Sequence, residues 1–366
     1  IGVGNFNRTE LQKKLAGKQV GCGVGLDNVT ENLSGTSTPK DLRTLFELIY
    51  LRFQAHCNDV DGYNNTITML RTSLENAEKQ PMKAYSDSLQ ATLYGHNPLR
   101  ASLKLADLNK ANFETIKKLY SERFNAAGDF DFFFTGALNV DSLREFTEQY
   151  IAPLKGVKKR EHYIDLKVEP VQGVVNNHFF RQMETPQAIV VQIYSGKNPY
   201  TMKEAAVVNA LGAVLTQRYL KSIREDAGIA YSVGTDGSAS YGVSDRYSLV
   251  TQCPVKPAQL DSALLLMKQG IEDIAKNGVT ADELEKVLAF ELKDYADNQK
   301  KNGYWMNLIT EKVVWNKDFR TNYEATLKSI TSKDIQDFVN NVVLKQNNCV
   351  TVSMRPTDMT EKDGVK

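Results

Sequence analysis

Two distant stretches of the chain are written to one plan. "LADLNKANFETIKKLYSERFNAAGDFDFFFTGAL" (105–138) and "LKSITSKDIQDFVNNVVLKQNNCVTVSMRP" (327–356) both run from a leucine-rich lead through a polar cap into an apolar helical pattern, then a polar turn and a strand. The apolar helical positions are Phe113, Ile116 and Tyr120 in the first stretch and Ile335, Phe338 and Val342 in the second. A segment repeated in this way is one structural unit with its own face to bury, so the chain reads as two related units in tandem. Strands come mostly in hairpins and helices in runs. Each unit is therefore expected to be α+β, a mostly antiparallel sheet with helices packed mainly on one face.

Length agrees, because 366 residues exceed one ordinary core and suffice for two. The first unit is expected over 1–155, a linker over 156–172 and the second unit over 173–366. The linker lies in "PLKGVKKREHYIDLKVEPVQG", where prolines, glycines and a basic "KKR" interrupt any helical period. A basic cluster this short, followed at once by Glu161, reads as a solvated connector.

Lys and Arg number 45 against 44 Asp and Glu, a formal charge of +1. No bulk field draws in nucleic acid, so no nucleic-acid partner is expected. The apolar runs "FDFFFTGAL" and "SALLLM" fall far short of the roughly 20 residues a bilayer-spanning helix needs, and no membrane insertion is expected. Cys22, Cys57, Cys253 and Cys349 lie far apart with no Cys-x-x-Cys pair, which argues against a disulfide framework or a zinc knuckle.

Local signals place the elements. In "STPKDLRTLFELIYLRFQ", Thr38 is a cap, Pro39 suits the first turn, and Leu42, Leu45, Phe46, Ile49 and Phe53 recur at helical spacing. The preceding "KQVGCGVGLDNVTENLSGTST" reads as a hairpin. Its Gly21, Gly23, Gly25 run is not a phosphate loop, since no helix follows directly and no Gly-Lys-Ser/Thr ending is present. "NNTITMLRTSLENAEKQ" and "PMKAYSDSLQATLYG" are helices, and "GDFDFFFTGAL" reads as a strand with an apolar centre. In the second half "QAIVVQIYSG" is a buried strand, followed by a nearly uniformly apolar helix whose alanines let it lie close against a sheet. Thr280 and Glu283 form a capping box for "ADELEKVLAFELKDYADNQ".

The stretch "SIREDAGIAYSVGT" (222–235) sets Arg224 at a helix end and Tyr231 at a strand start, with Gly228 between them. On spacing alone both side chains have ordinary explanations. An arginine in a last turn is favoured by the helix dipole, a glycine caps the helix, and a tyrosine opening a strand often packs half-buried.

Three segments together resemble the pitrilysin- and insulinase-type zinc metallopeptidases: "HNPLRASLKLADLNKANFETIKKLYSERF", "LTQRYLKSIREDAGIAYSVG" and "NGVTADELEKVLAF". The resemblance spans essentially the whole chain and implies the C-terminal, non-catalytic half, with a LuxS/MPP-like metallohydrolase fold. In such enzymes the two halves close on a peptide. The resemblance implies that Arg224 and Tyr231 bind substrate and that Tyr231 takes part in catalysis. It also implies that first-unit strands should precede "GVGNFNRTELQKKL", so the opening strands are expected to be absent and their edge exposed or filled by another chain.

The catalytic half of the family carries His-x-x-Glu-His, two zinc-binding histidines one helical turn apart with a glutamate that activates water. Here the histidines are His56, His96, His162 and His178, and no two have that spacing. No metal or other cofactor is therefore assigned to this chain, Glu75 and Glu78 read as surface charges, and zinc is expected in the upstream half. The chain by itself is expected to be inactive. The implied partners are that upstream half of the same polypeptide and a peptide substrate, a homodimer being left open, in a bacterial periplasm or envelope. The alternative is a non-catalytic scaffold or peptide-holding protein of the same fold.

Overall fold

The computed structural model describes residues 2–54 and 57–357. In chain order the elements are α1 (Arg8–Lys14), β1 (Val20–Leu26), β2 (Glu31–Ser37), α2 (Leu42–Arg52), α3 (Val60–Glu78), α4 (Pro81–Leu93), α5 (Leu105–Leu108), α6 (Phe113–Arg123) and α7 (Val140–Phe146). There follow β3 (Val174–Arg181), β4 (Ala188–Lys197), α8 (Met202–Tyr219), β5 (Gly234–Ser240), β6 (Arg246–Val255), α9 (Leu260–Asn277), α10 (Ala281–Asn298), α11 (Asn302–Val314), α12 (Tyr323–Lys328), α13 (Ser332–Phe338) and β7 (Cys349–Pro356). The fold is α+β. Two compact units emerge, the described residues of Ile1–Ala77 with Leu103–Leu166, and Glu78–Ser102 with Lys167–Lys366.

The first unit is built on α2. Thr38 accepts a hydrogen bond from the Asp41 N–H, Pro39 opens a 3-10 turn, and the helix follows. Leu42, Leu45, Phe46, Ile49 and Phe53 are all buried, as their spacing requires. Their cover is the β1–β2 hairpin and a row of phenylalanines: Phe134 stacks on Phe46 at 4.9 Å and Phe130 meets Phe53 edge-on at 5.0 Å. The "GDFDFFFTGAL" segment, expected as a strand, joins no ladder among the described residues. Its alternation is that of a strand, but a strand is completed only by neighbours, and none of the described residues pairs with it.

The second unit holds a five-stranded sheet in the order β3-β7-β4-β6-β5, with only β3 and β7 parallel. On one face α8, α9 and α13 build the main core around fully buried Leu211, Leu215, Met267 and Ile335. On the other face α4 lays Tyr85 against Ile189, Val191, Val352 and Met354. The Tyr85 hydroxyl donates to Val352 O at 2.9 Å, and Asn177 Nδ2 donates to Ser88 Oγ and Thr92 Oγ1. Residues 78–102 thus pack with the second unit although the sequence order places them within the range expected for the first. β4 is covered on both faces, which is why "QAIVVQIYSG" lacks polar alternation. Cys253 and Cys349 lie buried in β6 and β7 as small apolar residues.

β5 is an edge strand, and an unprotected edge invites foreign strands. Here α8 closes it. Thr216 Oγ1 donates to Thr235 O at 3.0 Å and accepts from Thr235 N–H at 2.8 Å. With its amide oriented to donate, Asn209 Nδ2 reaches Gly237 O at 2.6 Å. So close an approach demands glycine: a Cβ on Gly237 would stand 2.0 Å from Val208 O, and one on Gly212 would stand 2.5 Å from Gly237 N. The far end of α8 is tied by Arg218, which grips Glu283 through Nε and Nη2 at 2.8 and 2.9 Å, Asp273 at 2.7 Å and Gly278 O at 3.0 Å.

Two outcomes follow from this packing. Gly237→Ala is expected to lower stability by about 1–3 kcal/mol in urea denaturation, because the clash is with backbone and helix and strand must part to relieve it. The Arg218 hydrogen bonds, opposed by burial and aided by the Thr280 cap, hold the Glu283 carboxyl down at about 2. A depressed carboxylate stabilises the fold above its unfolded pKa, and this stabilisation fades as pH falls through the folded value. Glu283→Gln should therefore lower the Tm at neutral pH, and its deficit against wild type should shrink as pH falls from about 4.5 towards 2, read by thermal melts across that range.

Candidate functional site

The helix that carries Arg224 changes its winding before it ends. After Tyr219 the chain passes into a π-helical stretch, Leu220–Asp226, closed by Ala227 N–H donating to Ser222 O at 3.2 Å. A wide turn of this kind displaces side chains from the α-helical raster and is found often at functional sites. Ile223 stays fully buried within it, so the turn is pinned from inside while Arg224 stands outside.

Gly228, at φ +61, reverses the chain in the left-handed region that favours glycine. Beyond it Ile229 and Ala230 are buried again. Ile229 N–H returns to Ile223 O at 2.9 Å, Ala230 bridges to Val255, and Lys256 Nζ donates to Gly228 O at 2.9 Å. The apolar residues thus fix the backbone on both sides of the turn, and the two polar side chains are left over.

Tyr231 is 88% exposed, and the Arg224 guanidinium carbon lies 5.6 Å from its ring centroid. Among the described residues neither side chain makes a hydrogen bond or ion pair. The stretch singled out in the sequence does bring its two residues together. It does so at the surface, and the half-buried packing that spacing alone suggests for Tyr231 is not adopted. The phenol and the guanidinium keep all their donors, held side by side by cation–π attraction.

Immediately after Tyr231 lies an open cavity of about 520 Å³, lined by Ser232, Val233, Gly234, Asp236, Val250 and Gln252 among others. Sequence reasoning missed it. Gln252 faces Gly234 only through the β5–β6 register, and no local pattern announces that pairing.

Among the described residues no group of three or more His, Cys, Asp or Glu side chains is placed to hold a metal ion. His56 lies outside the described residues. His96 sits in a left-handed turn after α4, and His178 Nδ1 lies 2.6 Å from Ser353 Oγ. Glu75 and Glu78 are exposed on α3, a helix with no buried residue. These donors do not fit a zinc centre, which needs three or four converging protein groups.

Residues 110–290 match the profile of the peptidase M16 inactive domain. The chain is 21% identical over 300 residues to the probable zinc protease PqqL of Haemophilus influenzae, covering 79% of this chain and 30% of that protein. It is similar in structure to the periplasmic protease PqqL of Escherichia coli, with a TM-score of 0.82 at 17% identity over 97% of this chain and 39% of the other. A peptidase M16 inactive domain from Pseudomonas fluorescens superposes with a TM-score of 0.75 at 17% identity, over 97% of this chain and 86% of that one. The chain therefore spans less than half the length of the two PqqL proteins it matches. It belongs to the pitrilysin- and insulinase-type (M16) zinc metallopeptidase family, on the side of the inactive, non-catalytic domain.

Proposed function

We propose that this chain is the non-catalytic half of a zinc-dependent endopeptidase, closing over a peptide whose scissile bond is held by an upstream half of the same polypeptide. The observation that carries the reading is the Arg224–Tyr231 pair: two strong donors, exposed, without other partners among the described residues, on a backbone fixed by buried neighbours. A purely structural arginine or tyrosine would spend its donors within the fold, as Arg218 and Tyr219 do.

In this reading each residue has a separate task. As a nucleophile adds to a peptide carbonyl, negative charge collects on the oxygen, and the Tyr231 O–H donates a hydrogen bond to it. The Arg224 guanidinium offers a fork of donors that fits a peptide carbonyl or carboxylate and fixes the register of the substrate. The cavity beside Tyr231, lined by Val250 and Gln252, suits a neighbouring substrate side chain. The zinc and the glutamate base are assigned to the upstream half, since the donors described here do not fit them. A periplasmic or envelope setting is part of the proposal, supported by the name of the Escherichia coli relative.

The test is a peptidase assay with zinc analysis on this chain alone and on the polypeptide joined to its upstream half. Activity is expected only in the joined form. There Tyr231→Phe should lower kcat about 100-fold with KM nearly unchanged, and Arg224→Ala should mainly raise KM, by about tenfold. Both variants should stay within about 0.5 kcal/mol of wild-type stability, since neither side chain is buried. Unchanged kinetics in both variants would overturn the roles given to the pair, and no activity in the joined form would leave the scaffold reading standing instead.

A further inference from the structure

At the end of β5 away from Tyr231, the second unit gathers four aromatic rings that the site described above does not use. Tyr200 comes from the loop between β4 and α8, Tyr241 directly follows β5, and Trp315 and Phe319 come from the turn after α11. Tyr200 and Tyr241 have ring centroids 4.7 Å apart, Tyr241 and Phe319 5.4 Å, Tyr200 and Phe319 5.7 Å, and Tyr241 and Trp315 6.4 Å, with planes tilted by 48° to 76°. Rings set at such angles wall a box. Its backbone is pinned on each side. Tyr200 N–H donates to Asp245 Oδ2 at 2.9 Å, and the Trp315 and Lys317 N–H groups donate to Glu311 O at 3.2 and 3.0 Å. Gly242, at φ +107, lies so near Trp315 that a Cβ there would stand 3.1 Å from its ring.

The box already holds a cation. Lys317 Nζ stands 5.2 Å from the Tyr200 centroid and 5.6 Å from that of Tyr241, and it makes no hydrogen bond or ion pair among the described residues. A carboxylate is close by. Burial raises the pKa of the Tyr200 and Tyr241 phenols, and the charge of Glu311 beside them raises it further. Glu311 Oε2 is shut from solvent and accepts no hydrogen bond among the described residues, a state that costs free energy. The box thus offers aromatic faces that Lys317 uses and a carboxylate oxygen that it does not. Its four rings are only half-buried, unlike the core aromatics Tyr219 and Tyr247, so solvent reaches it.

We infer that this box is a binding site for an organic cation with N–H donors, a guanidinium or an alkylammonium, which displaces Lys317, lies against Tyr200 and Tyr241 and donates to Glu311 Oε2. A guanidinium suits it best, because its flat face stacks on a ring while its edge offers N–H groups to a carboxylate. Lys317 is then the resident competitor, and its long flexible stem lets it leave. Both a basic side chain of a peptide and a small free cation carry this chemistry. The site lies at the opposite end of β5 from Tyr231 and does not depend on the roles proposed for Arg224 and Tyr231.

The test is a titration of the full chain and of Lys317→Ala with methylguanidinium, followed by the NMR amide resonances of Tyr200, Tyr241 and Trp315. Lys317→Ala is expected to bind about tenfold more tightly than wild type, because the competitor is gone. In that background Glu311→Gln should weaken methylguanidinium about tenfold and leave tetramethylammonium, which has no N–H, unchanged. A blocked Ala-Arg-Ala tripeptide separates the two sources: tighter binding than the free ion assigns the site to peptide side chains, and equal or weaker binding assigns it to small free cations. Thermal melts check that each variant folds; if Lys317→Ala does not, the preference for methylguanidinium over tetramethylammonium is read on the wild type at higher concentration. Absence of saturable shifts at these three residues, equal binding of the two ions, or an unchanged affinity in Glu311→Gln would each overturn the inference.

Discussion

The second unit depends on the contact of a helix with a strand edge. α8 lies so close to β5 that Gly212 and Gly237 meet backbone to backbone, and Thr216 and Asn209 serve hydrogen-bonding groups that the sheet leaves open. This contact closes the sheet and fixes where α8 stops. Its last residues are anchored by Arg218 to the starts and ends of neighbouring helices, and the π turn, the glycine reversal and the strand entry follow within a few residues. A surface pair can be rigid only if the backbone beneath it cannot shift, and under Arg224 and Tyr231 that backbone is set by apolar burial and helix-to-strand hydrogen bonds.

The two units share a plan in the order of their elements. Both place a hairpin strand, a proline-opened turn and a long apolar helix in succession. In the second unit the helix meets a five-stranded sheet; in the first the equivalent helix is covered by a hairpin and by aromatic rings stacked on one another. Aromatic packing keeps the first core dry, but it cannot satisfy backbone groups. Side-chain burial is non-directional, whereas the amides need partners in line.

The charged groups divide by the same logic. Arg218 spends four of its hydrogen bonds on two carboxylates and a carbonyl within the fold. Arg160 likewise grips Asp131 and the Asp129 carbonyl, so the basic "KKR" segment is tied down at its last residue and is not a wholly solvated connector. Arg224 alone of these three meets only an aromatic face.

Much of the fold was legible in the sequence because it rests on local physics. The α2 stripe from Leu42 to Phe53, the Thr280 capping box and the two-sided burial of β4 are all written in spacing and composition, and the pairing of Arg224 with Tyr231 across Gly228 is set by a few residues of chain. The sequence could not tell that α4 belongs to the second unit's sheet, that "FDFFF" has no described neighbour to pair with, or that Gln252 and Gly234 meet beside Tyr231. Nor could it tell that the tyrosine stands in solvent. Those facts depend on register and on contacts between residues far apart in the chain, where the energy of a placement comes from partners that no local window contains.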